Sequence, residues 1–306
     1  MLPTSGTLLF AGALNVDFSI RVPHLPEPGE TVLGPNYQVM PGGKAANQAV
    51  ACARAGGQAA LVGAVGTDPF AEVALCCLRA SGVNLSGVRT LQGSSGAAFI
   101  GISDTGENTI LVAAGTNAAL RPEDLPDLTA VDMLVLPLET PLPTIQAFAE
   151  AAWQRGVQVV LNAAPAQTLP PLLLQYVSLL IVNEGELRAL MPPVPTEDLW
   201  QQLRAVQQQG PKAIVVTLGE RGCAALLADG TQLRIPAPVV TAVDTTGAGD
   251  TFTGTLVAAL SRGLHFADAL IWASAAAALA CTRPGAQPSI PSADEVEAFL
   301  SARVTG

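Results

Sequence analysis

DMLVLPLETPLPTIQAFAEAAWQRGVQVVL, residues 132–161, contains two strand-like runs separated by a segment with helical spacing. Met133 to Leu136 and Val157 to Leu161 are apolar at nearly every position, whereas apolar residues within 144–155 recur with the period of a helix. Strands that are apolar on both faces are typical of a parallel sheet covered by helices on both sides. The stretch therefore predicts a β-α-β unit.

The same alternation extends through much of the chain. Further strands are expected at Leu8 to Phe10, 179–182 and 213–217, and further helices at 184–191, 198–209, 249–262, 266–282 and 293–302. We therefore expect an α/β fold in which helices form the two outer layers around a central, mostly parallel sheet. One domain over residues 1–306 accommodates all of these elements.

Two segments, about 15–40 and 88–112, break this alternation. In the second, the β-rich runs 99–102 and 108–112 flank Asp104-Thr105-Gly106, a turn typical of a hairpin. Two such insertions predict a small β-sheet that stands off the main sheet as a lid over an active site. The alternative is that they are edge strands of a single sheet.

The composition excludes several classes of protein. The 306 residues include 15 Lys+Arg and 25 Asp+Glu, a net charge of −10, and 49% are hydrophobic, so neither disorder nor nucleic-acid binding is expected. No uncharged apolar stretch reaches the roughly 18 residues that cross a bilayer. The five cysteines lack CxxC spacing and are expected to be reduced thiols in the core of a cytoplasmic protein. The chain has two histidines, which argues against a His-dependent catalytic triad and against a zinc site.

The most informative motif is Val243-Asp244-Thr245-Thr246-Gly247-Ala248-Gly249-Asp250-Thr251-Phe252. Apolar residues recur every four positions after it, which places Gly247 to Asp250 at the start of a helix. Small residues at a helix start let backbone N–H groups approach a phosphoryl group, and Asp250 could accept a proton from a hydroxyl aimed at that group. The alternative is a tight turn with a helix-start carboxylate.

Two other phosphate-binding motifs are excluded by the sequence. The one Gly-Lys pair, Gly43-Lys44, is followed by Ala45, where a Walker A loop needs Ser or Thr. Gly247-Ala248-Gly249 is followed by Phe252, where a dinucleotide fingerprint needs glycine. A P-loop NTPase and a Rossmann-type NAD enzyme are therefore not supported.

A second glycine-led helix start, Gly42-Gly43-Lys44 with Asn47, offers backbone donors, a cation and an amide. Upstream, Asn15 and Asp17 follow the first strand and share one face by alternation. An amide beside a carboxylate suits a polyhydroxylated ligand, because each can bridge neighbouring hydroxyls. Taken singly, each of these residues is equally consistent with a turn.

Four motifs occur in the order found in the ribokinase-like (pfkB) carbohydrate kinases: Gly42-Gly43-Lys44 with Asn47, Asn183-Glu184-Gly185-Glu186, Thr217 to Gly222, and Asp244 to Asp250. The chain resembles that family over nearly its whole length. The resemblance implies the family's three-layer fold with a β lid, and ATP-dependent phosphorylation of the 5-hydroxyl of D-ribose. The alternatives are a kinase for another pentose, deoxyribose or a nucleoside, or a catalytically silent sugar-binding regulator. An aromatic content of 4% favours a free sugar over a nucleoside.

The resemblance also implies a role for individual residues. Asp250 corresponds to the catalytic base, and Gly247, Ala248 and Gly249 correspond to the anion hole. The positions that contact the sugar are Asn15, Asp17, Gly42, Gly43, Lys44, Asn47 and Glu139. Asn183 and Glu186 orient Mg²⁺ and phosphates through water, and the remaining nucleotide positions are Thr217, Gly219, Gly222, Gly249 and Ser274. An activating K⁺ is implied at Asp244, Thr246, Ala280, Arg283, Gly285 and Ser289.

Two further expectations concern specificity and assembly. Ala45 and Ser274 depart from residues common in the family, which leaves the nucleotide preference open. A lid that exposes Phe99, Ile100 and Ile102 would leave apolar area uncovered, so a homodimer through the lid is expected.

Overall fold

The computed structural model describes residues 6–192 and 196–304. Its strands are β1 (Thr7–Ala11), β2 (Asn15–Val22), β3 (Tyr37–Gly42), β4 (Ala59–Val65), β5 (Asn84–Thr90), β6 (Gly96–Ser103), β7 (Asn108–Ala113), β8 (Val131–Leu136), β9 (Gln158–Asn162), β10 (Leu179–Asn183), β11 (Ala213–Thr217), β12 (Cys223–Leu226) and β13 (Gln232–Ile235). Its α-helices are α1 (Lys44–Arg54), α2 (Ala71–Ala80), α3 (Leu142–Gln154), α4 (Pro171–Gln175), α5 (Glu184–Leu190), α6 (Leu199–Gln207), α7 (Ala248–Ser261), α8 (Phe266–Ala280) and α9 (Ala293–Val304).

The main sheet has nine strands within the described residues, in the order β13-β12-β11-β10-β9-β8-β1-β4-β5. Its strands are parallel except that β12 runs antiparallel to both β11 and β13. The predicted β-α-β unit is present as β8, α3 and β9. The expectation of an α/β fold with a central, mostly parallel sheet is confirmed.

Helices cover both faces of this sheet because successive strand residues point in opposite directions. In β1, Leu8 and Phe10 are buried in the core formed with α1, α2, α7 and α8. Leu9 and Ala11 are buried in the other core, formed with α3, α4, α5 and α6. The continuous apolar runs of the sequence thus supply two cores at once.

A second, smaller sheet comprises β3-β2-β6-β7 in the part of the chain that the structure describes. The predicted hairpin is its antiparallel β6–β7 pair, and β2 pairs with β6 in parallel. Phe18 of β2 stacks on Phe99 with ring centroids 5.3 Å apart and meets Phe70 edge-on at 5.0 Å, which fixes the small sheet against the start of α2.

The lower boundary of the second inserted segment, 88, was wrong. Residues 84–90 form β5, which pairs with β4 at the edge of the main sheet, and the small sheet resumes only at Gly96. The alternating pattern around Val88 is compatible with an edge strand of either sheet. Only the strand with which it pairs shows to which sheet it belongs.

All five cysteines are free in the structure. The expectation that they lie in the core was wrong for Cys76, which is exposed, and only Cys52 and Cys223 are buried. No helix in residues 6–192 or 196–304 has the length and apolarity to span a bilayer.

Candidate active site

The predicted sugar residues gather where β1 and β8 end. These two strands are neighbours, and the chain continues from them to opposite halves of the sheet, which is the position where open α/β sheets bind ligands. Asn15 and Asp17 follow β1, and Glu139 follows β8. The backbone N–H of Lys44, at the start of α1, donates to Glu139 Oε2 at 2.7 Å. Four of the predicted positions therefore meet here.

Asp250 lies in the first turn of α7 and is 5% exposed. Gly247, in the left-handed conformation at φ 76°, turns the chain into this helix. Asn47 Nδ2 donates to Asp250 Oδ2 at 2.9 Å, and Gln48 Nε2 donates to Oδ1 at 2.9 Å. Both carboxylate oxygens are therefore held by amides of α1.

The close approach of α1 to α7 depends on Gly254. A Cβ atom at this position would lie 2.2 Å from the backbone oxygen of Gln48. Without that side chain, α1 packs near enough for Asn47 and Gln48 to reach Asp250. Gln48 was missed by the sequence analysis, although a polar residue beside Ala45, Ala46 and Ala49 on a buried helix was a usable signal.

The pocket concentrates negative charge. Burial, reinforced by Glu139 and Asp250 and opposed by Lys44, raises the pKa of Asp17 to about 7. Burial also raises the pKa of Glu139, although Lys44 opposes it. The charge of Asp250 raises the pKa of Lys44 against the effect of burial. Three carboxyl groups around one ammonium suit a neutral hydroxylated ligand better than an anionic one.

Asn15 is positioned by a second asparagine. Asn117 Nδ2 donates to Asn15 Oδ1 at 2.8 Å and to the Leu14 oxygen at 3.1 Å, and Asn117 Oδ1 accepts from Leu14 N at 3.0 Å. The oxygen of Asn15 is therefore engaged, and its Nδ2 remains to donate to a ligand. Asn117 was not among the predicted site residues, because its contact is with a residue 102 positions away.

Most of the predicted nucleotide residues lie at the ends of β10 and β11, two neighbouring parallel strands, whereas Gly249 and Ser274 lie in α7 and α8. Asn183 and Glu186 form a reciprocal cap on α5: Glu186 N donates to Asn183 Oδ1 at 2.8 Å, and Asn183 Nδ2 donates to Glu186 Oε1 at 2.9 Å. Burial raises the pKa of Glu186, although Asn183 N donates to Glu186 Oε2 at 2.8 Å and opposes the rise. This cap places a buried carboxylate within electrostatic reach of Lys44 and Asp250.

The turn from Thr217 to Gly222 joins β11 to β12. Gly219 and Gly222 have φ values of 60° and 92°, and Leu218 N donates to the Gly222 oxygen at 2.8 Å, so the turn is tightly closed. Ser274 of α8 is buried, and its hydroxyl lies 3.6 Å from Sγ of Cys223, the residue after this turn. The structure thus brings Ser274 beside the predicted nucleotide turn.

The predicted cation residues lie on two segments that touch. Asp244 Oδ1 accepts from Thr246 N at 2.9 Å, and Oδ2 accepts from Gly285 N at 2.8 Å. Burial alone would raise the pKa of Asp244, but these hydrogen bonds and the charge of Arg21 lower it overall. An ionised carboxylate beside two irregular backbone segments fits a monovalent cation.

The other predicted cation ligands are partly engaged. The buried Ser289 hydroxyl donates to the Ala286 oxygen at 2.8 Å, which leaves its lone pairs, and the Ala280 oxygen accepts from Arg283 N at 3.1 Å. Across the described residues, no group of three His, Cys, Asp or Glu side chains forms a metal cluster.

A cleft of about 260 Å³ separates the small sheet from the helix-start turn. Asp17, Ser19 and Arg21 line it from β2, and Asp244 and Thr246 line it from the turn. A ligand in this cleft would lie between the small sheet and the turn that leads into α7.

Comparison with known proteins agrees with this geometry. The model of the pfkB family of carbohydrate kinases matches residues 6–293. A ribokinase of Haemophilus influenzae is 36% identical over 302 residues, which cover 96% of this chain and 98% of that protein. A deoxyribokinase of Salmonella typhi is 34% identical over 300 residues, which cover 95% of this chain and 97% of that protein.

The fold matches as well. The structure of a ribokinase of Arabidopsis thaliana complexed with ribose and ATP superposes with a TM-score of 0.89 at 31% identity, and covers 97% of this chain and 99% of that one. The resemblance drawn from the four ordered motifs is confirmed. The chain belongs to the pfkB family of carbohydrate kinases.

Proposed function

We propose that this protein transfers the γ-phosphoryl group of ATP to the 5-hydroxyl of D-ribose, giving ribose 5-phosphate and ADP. The observation that carries the proposal is the position of Asp250: a carboxylate in the first turn of α7, beside Gly247 to Gly249 and next to the Asp17 and Glu139 pocket. Relatives along the full chain that are named ribokinase, one of them complexed with ribose and ATP, support it.

The sugar is held by the residues around the ends of β1 and β8. Asp17 and Glu139 accept from its hydroxyls, while Asn15, Lys44 and Asn47 donate to them, and Gly42 and Gly43 offer backbone at close range. A free pentose suits this set because it is neutral and presents several hydroxyls.

Phosphoryl transfer needs one proton acceptor and one anion site. As the 5-oxygen bonds to the γ-phosphorus, its proton passes to Asp250, and the bond from that phosphorus to the bridging oxygen of ADP breaks with its electron pair leaving on ADP. The N–H groups of Gly247, Ala248 and Gly249, at the positive end of the α7 dipole, stabilise the charge on the transferred group.

The nucleotide lies along the ends of β10 and β11. Thr217, Gly219 and Gly222 form its binding turn, with Ser274 near the base and Gly249 near the phosphates. Asn183 and Glu186 would hold Mg²⁺ through water, and the bound ion would neutralise charge on the phosphates.

An activating K⁺ would bind beside the anion hole. Asp244 and Ser289 supply side-chain oxygens, and backbone oxygens come from Thr246, Ala280, Arg283 and Gly285. Support comes from the contact between the two segments and from the ionised state of Asp244. When bound, the ion would stabilise the turn in the shape that aims Gly247 to Gly249 at phosphate.

The small sheet acts as a lid on a single kinase domain, and two lids pair in a cytoplasmic homodimer. Ile110, Leu111 and Val112 of the edge strand β7 are 52%, 67% and 58% exposed, which is apolar area that a second copy would cover.

An ATP-coupled screen of pentoses, deoxyribose, hexoses and nucleosides tests the reaction and the substrate together. D-Ribose should give the highest kcat/KM, with ribose 5-phosphate as the product. Preference for deoxyribose or a nucleoside would replace ribose as the substrate within the same family. Sugar binding without ATP turnover would indicate the catalytically silent regulator.

A further inference from the structure

Gln48 is a fully buried amide on α1, next to the buried amide of Asn47. It is 0% exposed, and its neighbours Ala45, Ala49 and Cys52 on the helix belong to the hydrophobic core. A polar group in such surroundings lowers stability unless its hydrogen bonds are satisfied. Packing alone therefore does not explain why an amide side chain occupies this position.

The orientation of this amide is fixed by a chain of hydrogen bonds that ends in the main sheet. Asn162 Nδ2 donates to the Ile181 oxygen at 3.2 Å, so Asn162 Oδ1 faces Gln48 and accepts from its Nε2 at 3.0 Å. The same Nε2 donates to Asp250 Oδ1 at 2.9 Å. Both hydrogens of Nε2 are then used.

The other end of the amide supports the same reading. Gln48 Oε1 is buried and has no hydrogen-bond partner among the described residues. If only packing mattered at this position, an apolar side chain would avoid the cost of an unpaired buried acceptor. An amide whose role is to donate two hydrogen bonds explains why that cost is tolerated. Gln48 thus provides a fixed donor to one oxygen of Asp250.

We propose that Gln48, backed by Asn162, is a positioning residue that occupies Oδ1 of Asp250 and leaves Oδ2 as the oxygen that receives the hydroxyl proton. Oδ2 also accepts one hydrogen bond, but from Asn47, a proposed sugar contact, so Oδ2 is the oxygen on the sugar side of the carboxylate. The inference rests on the proposed function, because it takes Asp250 as the base.

Without the hydrogen bond from Gln48 to Oδ1, the carboxylate of Asp250 can rotate. Gln48→Met keeps an unbranched side chain of similar length and removes both donors. We expect kcat to fall by about 10- to 100-fold, because the base is misaligned, while the KM values for sugar and ATP change by less than about threefold. Asn162→Leu should change kcat in the same direction by a smaller factor, since Gln48 keeps its amide but loses its orientation.

The pH profile separates positioning from a structural role. Loss of a donor to the charged carboxylate should move the acidic limb of kcat to higher pH in Gln48→Met. Asp17, Glu139, Lys44 and Glu186 also face Asp250, and the variant leaves all four in place, so the shift is measured against the parent protein. Cys52→Ala, one turn further along α1, is the control for altered packing and should leave the profile unchanged.

Three outcomes decide the proposal. A lower Tm for Gln48→Met with unchanged kcat and pH profile would assign Gln48 to stability alone and overturn it. If that variant does not fold, an unchanged kcat and profile in Asn162→Leu would overturn it as well. Near-normal turnover in Asp250→Asn would instead show that Asp250 is not the base. That result would contradict the proposed function, and it is distinguishable from a failure of the Gln48 proposal because it does not involve Gln48.

Discussion

Gly42 and Asp17 are so close that a Cβ atom on Gly42 would lie 2.2 Å from Oδ2 of Asp17. The carboxylate of Asp17 thus occupies the space that any other residue at position 42 would fill. This carboxylate lies against the backbone that leads into α1. It is thus between β2 and the start of α1, the two segments that are proposed to hold the sugar.

Gly42→Ala should displace the Asp17 carboxylate and weaken sugar binding. We expect the KM for the sugar to rise by about tenfold or more, while the KM for ATP changes little, because the nucleotide residues follow other strands. Gly101→Ala is the matched control in the small sheet, since its Cβ would meet only Leu25 at 3.4 Å. Equal changes in both KM values would contradict a sugar-specific role for Asp17.

Ionisation of Asp17 should make the free protein less stable at high pH. The pKa of Asp17 is about 7 in the folded state, whereas the ordinary pKa of an aspartate, 3.8, applies to the unfolded chain. The folded state therefore binds more protons between these values, and the free energy of unfolding falls as the pH rises through that window. Below it, both states are protonated and the effect disappears.

Asp17→Asn removes this loss because its side chain stays neutral. The stability of the variant relative to the parent should increase by about 2 kcal/mol between pH 5 and pH 8, as measured by urea unfolding. A constant difference at the two pH values would show that Asp17 titrates near its ordinary value.

Asp250→Asn should abolish most turnover without preventing sugar binding. The substitution keeps the volume and removes the proton acceptor, so kcat should fall by about 10²–10⁴-fold while calorimetry still detects ribose. Asp268→Asn is a suitable control, because Asp268 is an exposed carboxylate in the first turn of α8. Retention of turnover would exclude Asp250 as the base.

K⁺ should raise turnover several-fold over Na⁺ at equal ionic strength, with Mg²⁺ and substrates saturating. Asp244→Ala should remove the difference between the two salts, because the variant lacks the carboxylate that joins the two segments of the site. Asp294→Ala, at an exposed position in α9, should preserve it. Equal rates in both salts for the parent protein would exclude an activating site.

Static light scattering should show a species of twice 31.2 kDa at micromolar concentration. Leu111→Lys places a charge on the exposed edge strand and should shift the population to monomer. Val239→Lys introduces the same charge at a hydrophobic residue that is 85% exposed outside the small sheet, and should leave the dimer intact. A parent protein that scatters as a monomer would contradict pairing through the lid.

Local patterns in the sequence predicted five strands of the main sheet, β1, β8, β9, β10 and β11, and the helix starts at Gly43 and Gly247. A run that is apolar on both faces, or a glycine followed by apolar residues four apart, reports on its own segment. For that reason α3, β11 and α7 were predicted to within about two residues of their observed bounds. The predicted site residues around Asp17 and Asp250 were also found together.

Two features were decided only by the tertiary structure. One is the sheet to which residues 84–90 belong, and the other is the set of side chains that support the site. The pairing of β5 with β4, and the contacts of Asn117 and Gln48, have no counterpart in the local pattern. Gln48 and Asp250 are 202 residues apart, and their contact depends on the close packing of α1 against α7 that Gly254 permits. A hydrogen bond between distant residues is set by the distance and orientation of whole helices, and periodicity within one helix carries no information about either.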